Sequence, residues 1–326
     1  MKELRSIKNF FEERPELPVS VIEKAAKLTK GRLSKILNGS ANLTPMVVNK
    51  VRPVMAKYGL EIDYRSITIS FYNNKGGVGK TTSVLNVAAC LAKLGHKVLM
   101  VDFDFQSNLT RSCTDGSEKV FQHIFHPDGE EVVKYRVLHN GDKRVKIDLI
   151  PSSYELDDDK ERLKSDVNYM YLMRNRLEKY KDEYDFILID NSPGKSYPSM
   201  AAADYIFVPS HAEGYSVSGM DKVMEQIKEV KFDLNPKLNL LGIFVTSFVG
   251  SQSAQQVAME DLNTYFNDSM LTTFIPRSSV LEQNVLLRKD LMQYGSTSDA
   301  GKAYMQLTVE MLNRLDFKTE IPEFAL

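Results

Sequence analysis

The stretch YNNKGGVGKTT, residues 72–82, is the strongest indication of the fold class of this 326-residue chain. It follows the β-branched and aromatic run SITISFY (66–72) and precedes a segment with helical periodicity. Gly76, Gly77 and Gly79 can adopt backbone angles that turn successive N–H groups inward around phosphate oxygens. A strand, a glycine-rich loop and a helix in this order are typical of a phosphate-binding loop. The sequence therefore predicts a site here for the phosphates of a nucleotide, with Mg²⁺ as a cofactor.

The loop departs from the usual pattern at one position. The pattern G-x-x-x-x-G-K-[ST] places a glycine where this chain has Asn74, and a second lysine, Lys75, follows directly. Lys80 is expected to reach the β- and γ-phosphates, and the Thr81 hydroxyl is expected to bind Mg²⁺. The ATP-binding residues predicted within the loop are Lys75, Gly76, Gly77, Val78, Gly79, Lys80, Thr81 and Thr82.

Apolar strand candidates alternate with helical segments through the rest of the chain. This alternation predicts an α/β fold of the P-loop type, with a mainly parallel sheet flanked by helices. Asn140-Gly141 indicates a hairpin inserted into this pattern. The strand candidates are residues 66–72, 97–103, 146–151, 186–190, 205–209, 240–246 and 272–276, and helices are expected near 81–94, 161–180, 217–231, 254–266 and 298–315.

The first 60 residues differ from the remainder in charge. They contain twelve lysines and arginines but only five glutamates, a net charge of +7, whereas residues 61–326 carry −8. A basic segment ahead of an acidic body indicates an anionic partner, with nucleic acid the first candidate. A solvated charged surface is the alternative interpretation.

Short helices joined by a tight turn predict a small all-α domain over residues 1–62, ahead of an α/β ATPase domain over 63–326. Ser20 and Glu23 fit a capping box, in which each side chain binds the backbone N–H of the other residue. The other expected boundaries are a helix start at Thr29, an end at Asn38-Gly39, a start at Thr44-Pro45 and a break or kink at Pro53.

The two helices over residues 20–37 have the outline of a helix-turn-helix. Lys30, Arg32 and Lys35 are the DNA-binding candidates, because they project from the exposed side of the second helix while its leucines and isoleucine pack inward. The alternative is a helical cap that aids dimerisation or docking of a partner.

Four motifs of the larger domain resemble the ParA/Soj family of partition ATPases, whose phosphate-binding loop is a deviant Walker A motif. They are KGGVGKTT (75–82), VLMVDFDFQSNLT (98–110), DFILIDNSPG (185–194) and FIPRSSVLEQN (274–284). The resemblance implies that Lys75 is a signature lysine, which contacts the phosphates of a partner subunit in an ATP-bound sandwich dimer.

The same resemblance assigns roles to residues beyond the loop. It implies that Asp104 is the catalytic residue that positions the attacking water, together with Lys75 and Lys80, and that Asp102 supports it. Asp190 follows four apolar positions and resembles the Walker B aspartate, which holds Mg²⁺ directly or through water. Pro276 and Arg277 match a family turn near the adenine.

The implied function is ATP-dependent DNA partition, either plasmid or chromosomal. The resemblance implies an ATP-dependent homodimer that binds DNA, slow ATP hydrolysis stimulated by a ParB-like centromere-binding protein, and possible repression of its own operon. A nucleotide-controlled transcription regulator without a segregation role is the alternative that the basic segment suggests.

Other classes fit the sequence less well. Cys90 and Cys113 show no metal-ligand spacing, and a membrane-cycling relative would need a basic amphipathic C-terminal helix, whereas LDFKTEIPEFAL contains Pro322. No apolar run reaches the roughly 18 residues of a membrane span. We therefore expect a cytoplasmic, nucleoid-associated protein without a membrane partner.

Overall fold

The computed structural model describes residues 2–59, 66–114, 147–152, 168–213, 216–317 and 319–325. The chain divides into two compact units, one comprising Met1–Arg65 with Leu94–His96 and the other comprising the remaining residues. The hairpin predicted at Asn140-Gly141 lies outside the described residues, as does the beginning of the helix predicted near 161–180.

The first unit is helical, as its sequence predicts. Ile22, Leu33 and Ile36 are among the side chains that are fully buried in one small core, and partly buried apolar side chains pack against it. The third helix ends before Asn38-Gly39 as predicted, and the fourth begins at Pro45 but continues through Pro53 instead of breaking there. The four helices are α1 (Lys2–Glu12), α2 (Val19–Ala25), α3 (Arg32–Leu37) and α4 (Pro45–Ala56).

Glu23 does not form the predicted capping box; it caps the next helix instead. α2 begins at Val19, one residue before Ser20, so Glu23 lies inside the helix and faces the core. Its carboxylate accepts the backbone N–H groups of Leu33 at 2.7 Å, Gly31 at 2.8 Å and Ser34 at 3.1 Å. α3 consequently starts at Arg32, and the predicted start at Thr29 is wrong.

The second unit is built on a six-stranded sheet in which every pair of neighbouring strands is parallel. The order across the sheet is β3-β2-β4-β1-β5-β6, so β4 returns between β1 and β2, and the predicted α/β fold is confirmed. The strands are β1 (Ile67–Phe71), β2 (Val98–Phe103), β3 (Ile147–Ile150), β4 (Phe186–Asn191), β5 (Tyr205–His211) and β6 (Asn239–Thr246).

Helices cover both faces of this sheet. On β4, Ile187 packs among residues of the helix over 169–177, whereas the ring of Phe186 lies 5.6 Å from that of Phe317. Successive strand residues point to opposite faces, so both faces are covered. The helices of this unit are α5 (Lys80–Lys93), α6 (Asn108–Cys113), α7 (Tyr169–Leu177), α8 (Tyr197–Ala202), α9 (Ser216–Asp233), α10 (Ser253–Phe266), α11 (Ser279–Leu287), α12 (Leu291–Tyr294) and α13 (Asp299–Arg314).

The strand predicted at 272–276 is wrong, although this segment runs beside β6. Leu271 and Ile275 donate their backbone N–H groups to the oxygens of Ile243 and Val245 in β6, so four residues of this segment span only two residues of the strand. The intervening N–H of Thr273, however, donates to the carboxylate of Glu310 at 3.0 Å. A side chain from α13 thereby interrupts the ladder, and only isolated bridges remain.

Candidate nucleotide-binding site

The glycine-rich loop connects the carboxyl end of β1 to the amino end of α5. Gly77 and Gly79 have φ values of 75° and 82°, in the left-handed region that only glycine adopts without strain. α5 begins at Lys80, so its unpaired N–H groups and the positive end of its dipole lie at the loop. This geometry is suited to binding phosphate groups.

Lys80 is held within the loop. Its side chain is buried, and its Nζ donates to the backbone oxygens of Lys75 at 2.9 Å and Asn73 at 3.2 Å. Burial lowers the pKa of Lys80, while the carboxylates of Asp190 and Asp104 act in the opposite direction. A nearly dehydrated ammonium group next to the loop interacts strongly with anionic ligands, because little water screens it.

Asp190 has the chemistry of a metal ligand. It is fully buried at the end of β4, and neither carboxylate oxygen has a hydrogen-bond partner of good geometry among the described residues. Burial raises the pKa of this carboxyl well above its usual range, and Asp102 raises it further, although the nearby Thr81 hydroxyl acts to lower it. The buried carboxylate of Asp190 and the neighbouring hydroxyl of Thr81 provide the oxygen ligands that Mg²⁺ prefers.

The protein alone does not enclose a metal ion. Over the ranges that the structure describes, no group of three or more histidine, cysteine, aspartate and glutamate side chains could hold one. Mg²⁺ sites in P-loop enzymes typically use one or two protein oxygens, with the remaining positions filled by water and nucleotide phosphates. The Asp190 and Thr81 oxygens fit that arrangement.

Asp102 and Asp104 have different surroundings, although both lie at the carboxyl end of β2: Asp102 within the strand and Asp104 directly after it. Asp102 is fully buried and accepts the N–H and the hydroxyl of Thr110, at 2.8 and 2.6 Å, and the N–H of Asp104 at 3.1 Å. Burial raises the pKa of Asp102, and the bonds from Thr110 only partly offset that rise. Asp104 accepts the N–H of Gln106 at 3.0 Å and is 6% exposed. Asp102 thus fixes the backbone that carries Asp104.

Lys75 points away from the loop interior. Its side chain is 55% exposed and forms an ion pair with Glu213, two residues after β5. Its backbone N–H donates to the Oδ1 of Asn73 at 3.0 Å. The two lysines of the loop therefore differ in direction, because Lys80 turns inward and Lys75 turns outward.

Asn74 occupies the position of the missing glycine and has its own contacts. Its side-chain oxygen accepts the hydroxyl of Tyr72 at 2.5 Å, and its backbone oxygen accepts the N–H of Gly194 at 3.2 Å. Tyr72 is fully buried, and its hydroxyl also contacts the side-chain amide of Gln226 on α9. The start of the loop is therefore tied to the segment after β4.

Two residues that support the loop, Asn73 and Thr246, were not predicted from the sequence. The side chain of Asn73 donates to the backbone oxygen of Pro209 at 2.8 Å, which joins the loop to β5. The hydroxyl of Thr246 donates to the backbone oxygen of Val78 at 2.9 Å, which joins the loop to β6. No local pattern distinguishes these side chains, because each depends on a strand distant in sequence.

Pro276 and Arg277 lie beyond the carboxyl end of β6. Pro276 bridges to Phe248, and the N–H of Arg277 donates to the backbone oxygen of Phe248 at 3.1 Å. The rings of Phe248 and Phe274 lie 4.7 Å apart. These residues therefore lie past the strand whose Thr246 supports the loop, and their contact with adenine stays a prediction.

The DNA-binding candidates of the first unit lie in and just before α3: Lys30 precedes the helix, Arg32 begins it and Lys35 lies in its last turn. Lys30 and Lys35 are exposed, and Arg32, the first residue of the helix, is half-buried. Leu33 and Ile36 are fully buried, so the predicted inward face of this helix is confirmed for both.

A parallel sheet with a glycine-rich loop after β1, a buried lysine at the start of α5 and a buried aspartate at the end of β4 defines a P-loop nucleoside triphosphatase. A family model described as "AAA domain" matches residues 66–240. The chromosome-partitioning ATPase Soj of Thermus thermophilus is 33% identical over 251 residues, which cover 76% of this chain and 96% of that protein. The chain belongs to the ParA/Soj family of partition ATPases, and it is an ATPase.

Solved structures show the same fold. Cobyrinic acid a,c-diamide synthase from Mycobacterium smegmatis, with an ATP analogue and magnesium, superimposes with a TM-score of 0.64 at 23% identity and covers 79% of this chain and 98% of its own. A putative plasmid partition protein from Borrelia burgdorferi bound to AMPPNP gives 0.62 at 21% identity, covering 78% and 100%. Within the described part of the chain, no helix has the length and apolar character needed to cross a membrane.

Proposed function

We propose that ATP joins two copies of this chain face to face, and that each Lys75 then contacts the phosphates bound by the other copy. The observation that carries this proposal is the opposite orientation of two lysines on one loop. Lys80 is 6% exposed and bonded within the loop, whereas the Lys75 side chain is 55% exposed. A lysine that faces outward from a phosphate site is suited to act on a second site.

Hydrolysis in this proposal is divided among residues of both copies. Loop amides and Lys80 bind the phosphates. The Thr81 hydroxyl and Asp190 would hold Mg²⁺, which would offset the charge of the phosphates. Asp104 orients the attacking water and accepts its hydrogen bond, while Asp102 keeps the backbone of Asp104 in place. The partner's Lys75 ammonium stabilises the charge that develops on the transferred phosphoryl group, so hydrolysis depends on dimer formation.

The helical unit is proposed to bind DNA through Lys30, Arg32 and Lys35. Two observations support this role: Lys30 and Lys35 are exposed, and the first 60 residues carry a net charge of +7. Lysine and arginine contribute phosphate contacts, and arginine can also read guanine. Operator binding by this unit would allow the protein to repress its own operon.

The biological role that follows is DNA segregation, with the ATP-bound dimer on the nucleoid and a ParB-like centromere-binding protein that stimulates hydrolysis. Membership of the ParA/Soj family supports this role. The second candidate function is a nucleotide-controlled transcription regulator without a segregation role, which the charge of the helical unit favours. Loss of a low-copy plasmid in cells carrying Lys80→Ala, with operator repression retained, would favour segregation.

The direct test compares Lys75→Ala with Lys80→Ala. Lys80→Ala is expected to abolish ATP binding, whereas Lys75→Ala is expected to retain ATP binding but to lose ATP-dependent dimerisation and hydrolysis. Nucleotide binding is measured by titration and dimerisation by sedimentation velocity. A Lys75→Ala protein that dimerises and hydrolyses ATP like the wild type would falsify the role of Lys75 across the dimer.

A further inference from the structure

The ammonium group of Lys75 is paired within its own chain. Its Nζ donates to the Oε2 of Glu213, and both side chains are about half exposed, at 55% and 49%. Glu213 lies in the segment that follows β5, 138 residues further along the chain. The fold thus places the Glu213 carboxylate next to Lys75, the lysine that contacts the other copy in the proposed function.

Two further contacts fix this pairing. The side chain of Asn73 accepts the N–H of Lys75 and donates to the backbone oxygen of Pro209 in β5, so this side chain joins the loop entrance to β5. The second oxygen of Glu213, Oε1, lies 3.2 Å from the Nδ1 of His211. Lys75 lowers the pKa of Glu213 against the opposing effect of burial, and His211 adds to the lowering. The carboxylate is therefore ionised and oriented at neutral pH.

We propose that Glu213 is a positioning residue for Lys75, which holds the ammonium on its own chain and competes with the phosphates of the second copy. This inference rests on the proposed function. An ammonium bonded to a carboxylate of its own chain must exchange that partner before it contacts a nucleotide across a dimer. Glu213 therefore sets how much ATP and protein are needed before two copies associate.

The expected size of the effect follows from the exposure of the pair. A half-exposed ion pair changes an equilibrium by roughly 1.5-fold to fivefold, and salt weakens it. A symmetric dimer breaks two such pairs, so the factors multiply. Removing the charge of Glu213 is expected to strengthen ATP-dependent dimerisation by about two- to 25-fold at low salt.

The experiment measures dimerisation of the full chain with a non-hydrolysable ATP analogue and Mg²⁺, by sedimentation velocity over a series of protein concentrations. Glu213→Gln is expected to dimerise at about two- to 25-fold lower protein concentration than the wild type in about 50 mM salt, with a smaller difference at high salt. Glu213→Asp keeps the charge, so its dimerisation is expected to need a protein concentration closer to that of the wild type. Glu225→Gln removes one exposed carboxylate from α9 and serves as the matched control. A Glu213→Gln protein that dimerises like the wild type, or more weakly, overturns the inference.

A second pair of variants separates this inference from the function on which it rests. In a Lys75→Ala background, adding Glu213→Gln is expected to change nothing, because the competing group is gone. If Lys75→Ala alone leaves dimerisation unchanged, the proposed role of Lys75 fails, and the inference fails with it. If Lys75→Ala weakens dimerisation but Glu213→Gln has no effect, only the inference fails.

Discussion

Asp102 and Asp190 lie directly opposite each other near the carboxyl ends of the neighbouring strands β2 and β4, and both are fully buried. Three hydrogen bonds hold Asp102, whereas the oxygens of Asp190 have no partner of good geometry among the described residues. Two carboxylates at the same level of neighbouring strands therefore differ. Donors of the chain itself satisfy Asp102, whereas the proposed function assigns Asp190 to Mg²⁺.

Replacing Asp190 by asparagine is expected to stabilise the chain without metal and to abolish its response to Mg²⁺. Burial and then Asp102 raise the pKa of Asp190, so the wild type loses stability as the pH rises from about 4 toward that raised pKa. The asparagine side chain of the variant carries no such charge. Thermal unfolding at pH 8 should therefore show a higher Tm for Asp190→Asn, with the difference shrinking toward pH 4.

The same variant should show no stabilisation by ATP with Mg²⁺, while the wild type does. Asp221→Asn, which removes an exposed carboxylate from α9, is the control and should behave like the wild type in both measurements. A Tm for Asp190→Asn that follows the wild-type pH profile contradicts the assignment of a buried carboxylate without donors.

Substitution of Asp104 should lower the rate of hydrolysis, whereas substitution of Asp102 should lower the stability of the fold. Asp104→Ala is expected to lower the hydrolysis rate on the order of 10²- to 10⁴-fold, with ATP binding retained, because the water loses its hydrogen-bond acceptor. Asp102→Ala is expected to destabilise the fold by roughly 1–3 kcal/mol, because it leaves the N–H of Thr110 unpaired. Single-turnover hydrolysis and chemical denaturation measure the two effects, and undiminished turnover by Asp104→Ala counts against its role.

Thr246 should contribute to nucleotide affinity through the loop backbone. Thr246→Val keeps the shape of the side chain but removes the hydroxyl that donates to Val78, so the loop is held less firmly. ATP affinity is expected to fall by about two- to tenfold, the size of one hydrogen bond. Thr246→Ser keeps the hydroxyl and should bind ATP like the wild type, and equal binding by both variants would refute this contribution.

Glu23 should stabilise the helical unit in a pH-dependent manner. Burial raises its pKa, but the backbone N–H groups of Gly31, Ser34 and Leu33 outweigh burial and hold the pKa below its usual value. This stability is fully present above the usual glutamate pKa of about 4.3 and is lost as the pH falls through the lowered value. Glu23→Ala is expected to cost roughly 1–3 kcal/mol.

Hydrogen exchange locates that effect. The amides of Leu33 and Ser34 should exchange faster in Glu23→Gln than in the wild type, because the neutral amide binds them more weakly. Glu16→Gln, an exposed position between α1 and α2, is the control. Unchanged protection of Leu33 in the Glu23 variant would exclude the cap.

The features that the sequence predicted depend on local pattern. Each of the six strands was predicted to within two residues at either end, because a parallel sheet covered on both faces requires uninterrupted apolar runs. The glycine loop was predicted because its spacing is determined by phosphate geometry. Asp190 lies at the carboxyl end of β4, and Lys80 begins the helix after the loop that follows the neighbouring strand β1. Their roles in binding Mg²⁺ and phosphate stay predictions.

The features that were missed depend on partners distant in sequence. Glu23 looked like a cap for its own helix, but its carboxylate meets amides eight to eleven residues later. The segment 272–276 has a strand-like composition, and only the position of Glu310 on α13 shows why its ladder is interrupted. Glu213 carried no motif, since its relation to Lys75 exists only after β1 and β5 pair.

The hydrogen bond between Tyr72 and Asn74 limits which residues position 74 can accept. The side chain of Asn74 accepts the hydroxyl of the fully buried Tyr72. Asn74→Gly alone would restore the common loop pattern but would leave that phenol without one of its two partners, at a cost of roughly 1 kcal/mol or more. A glycine at position 74 is therefore compatible with the full stability of this chain only when position 72 changes with it.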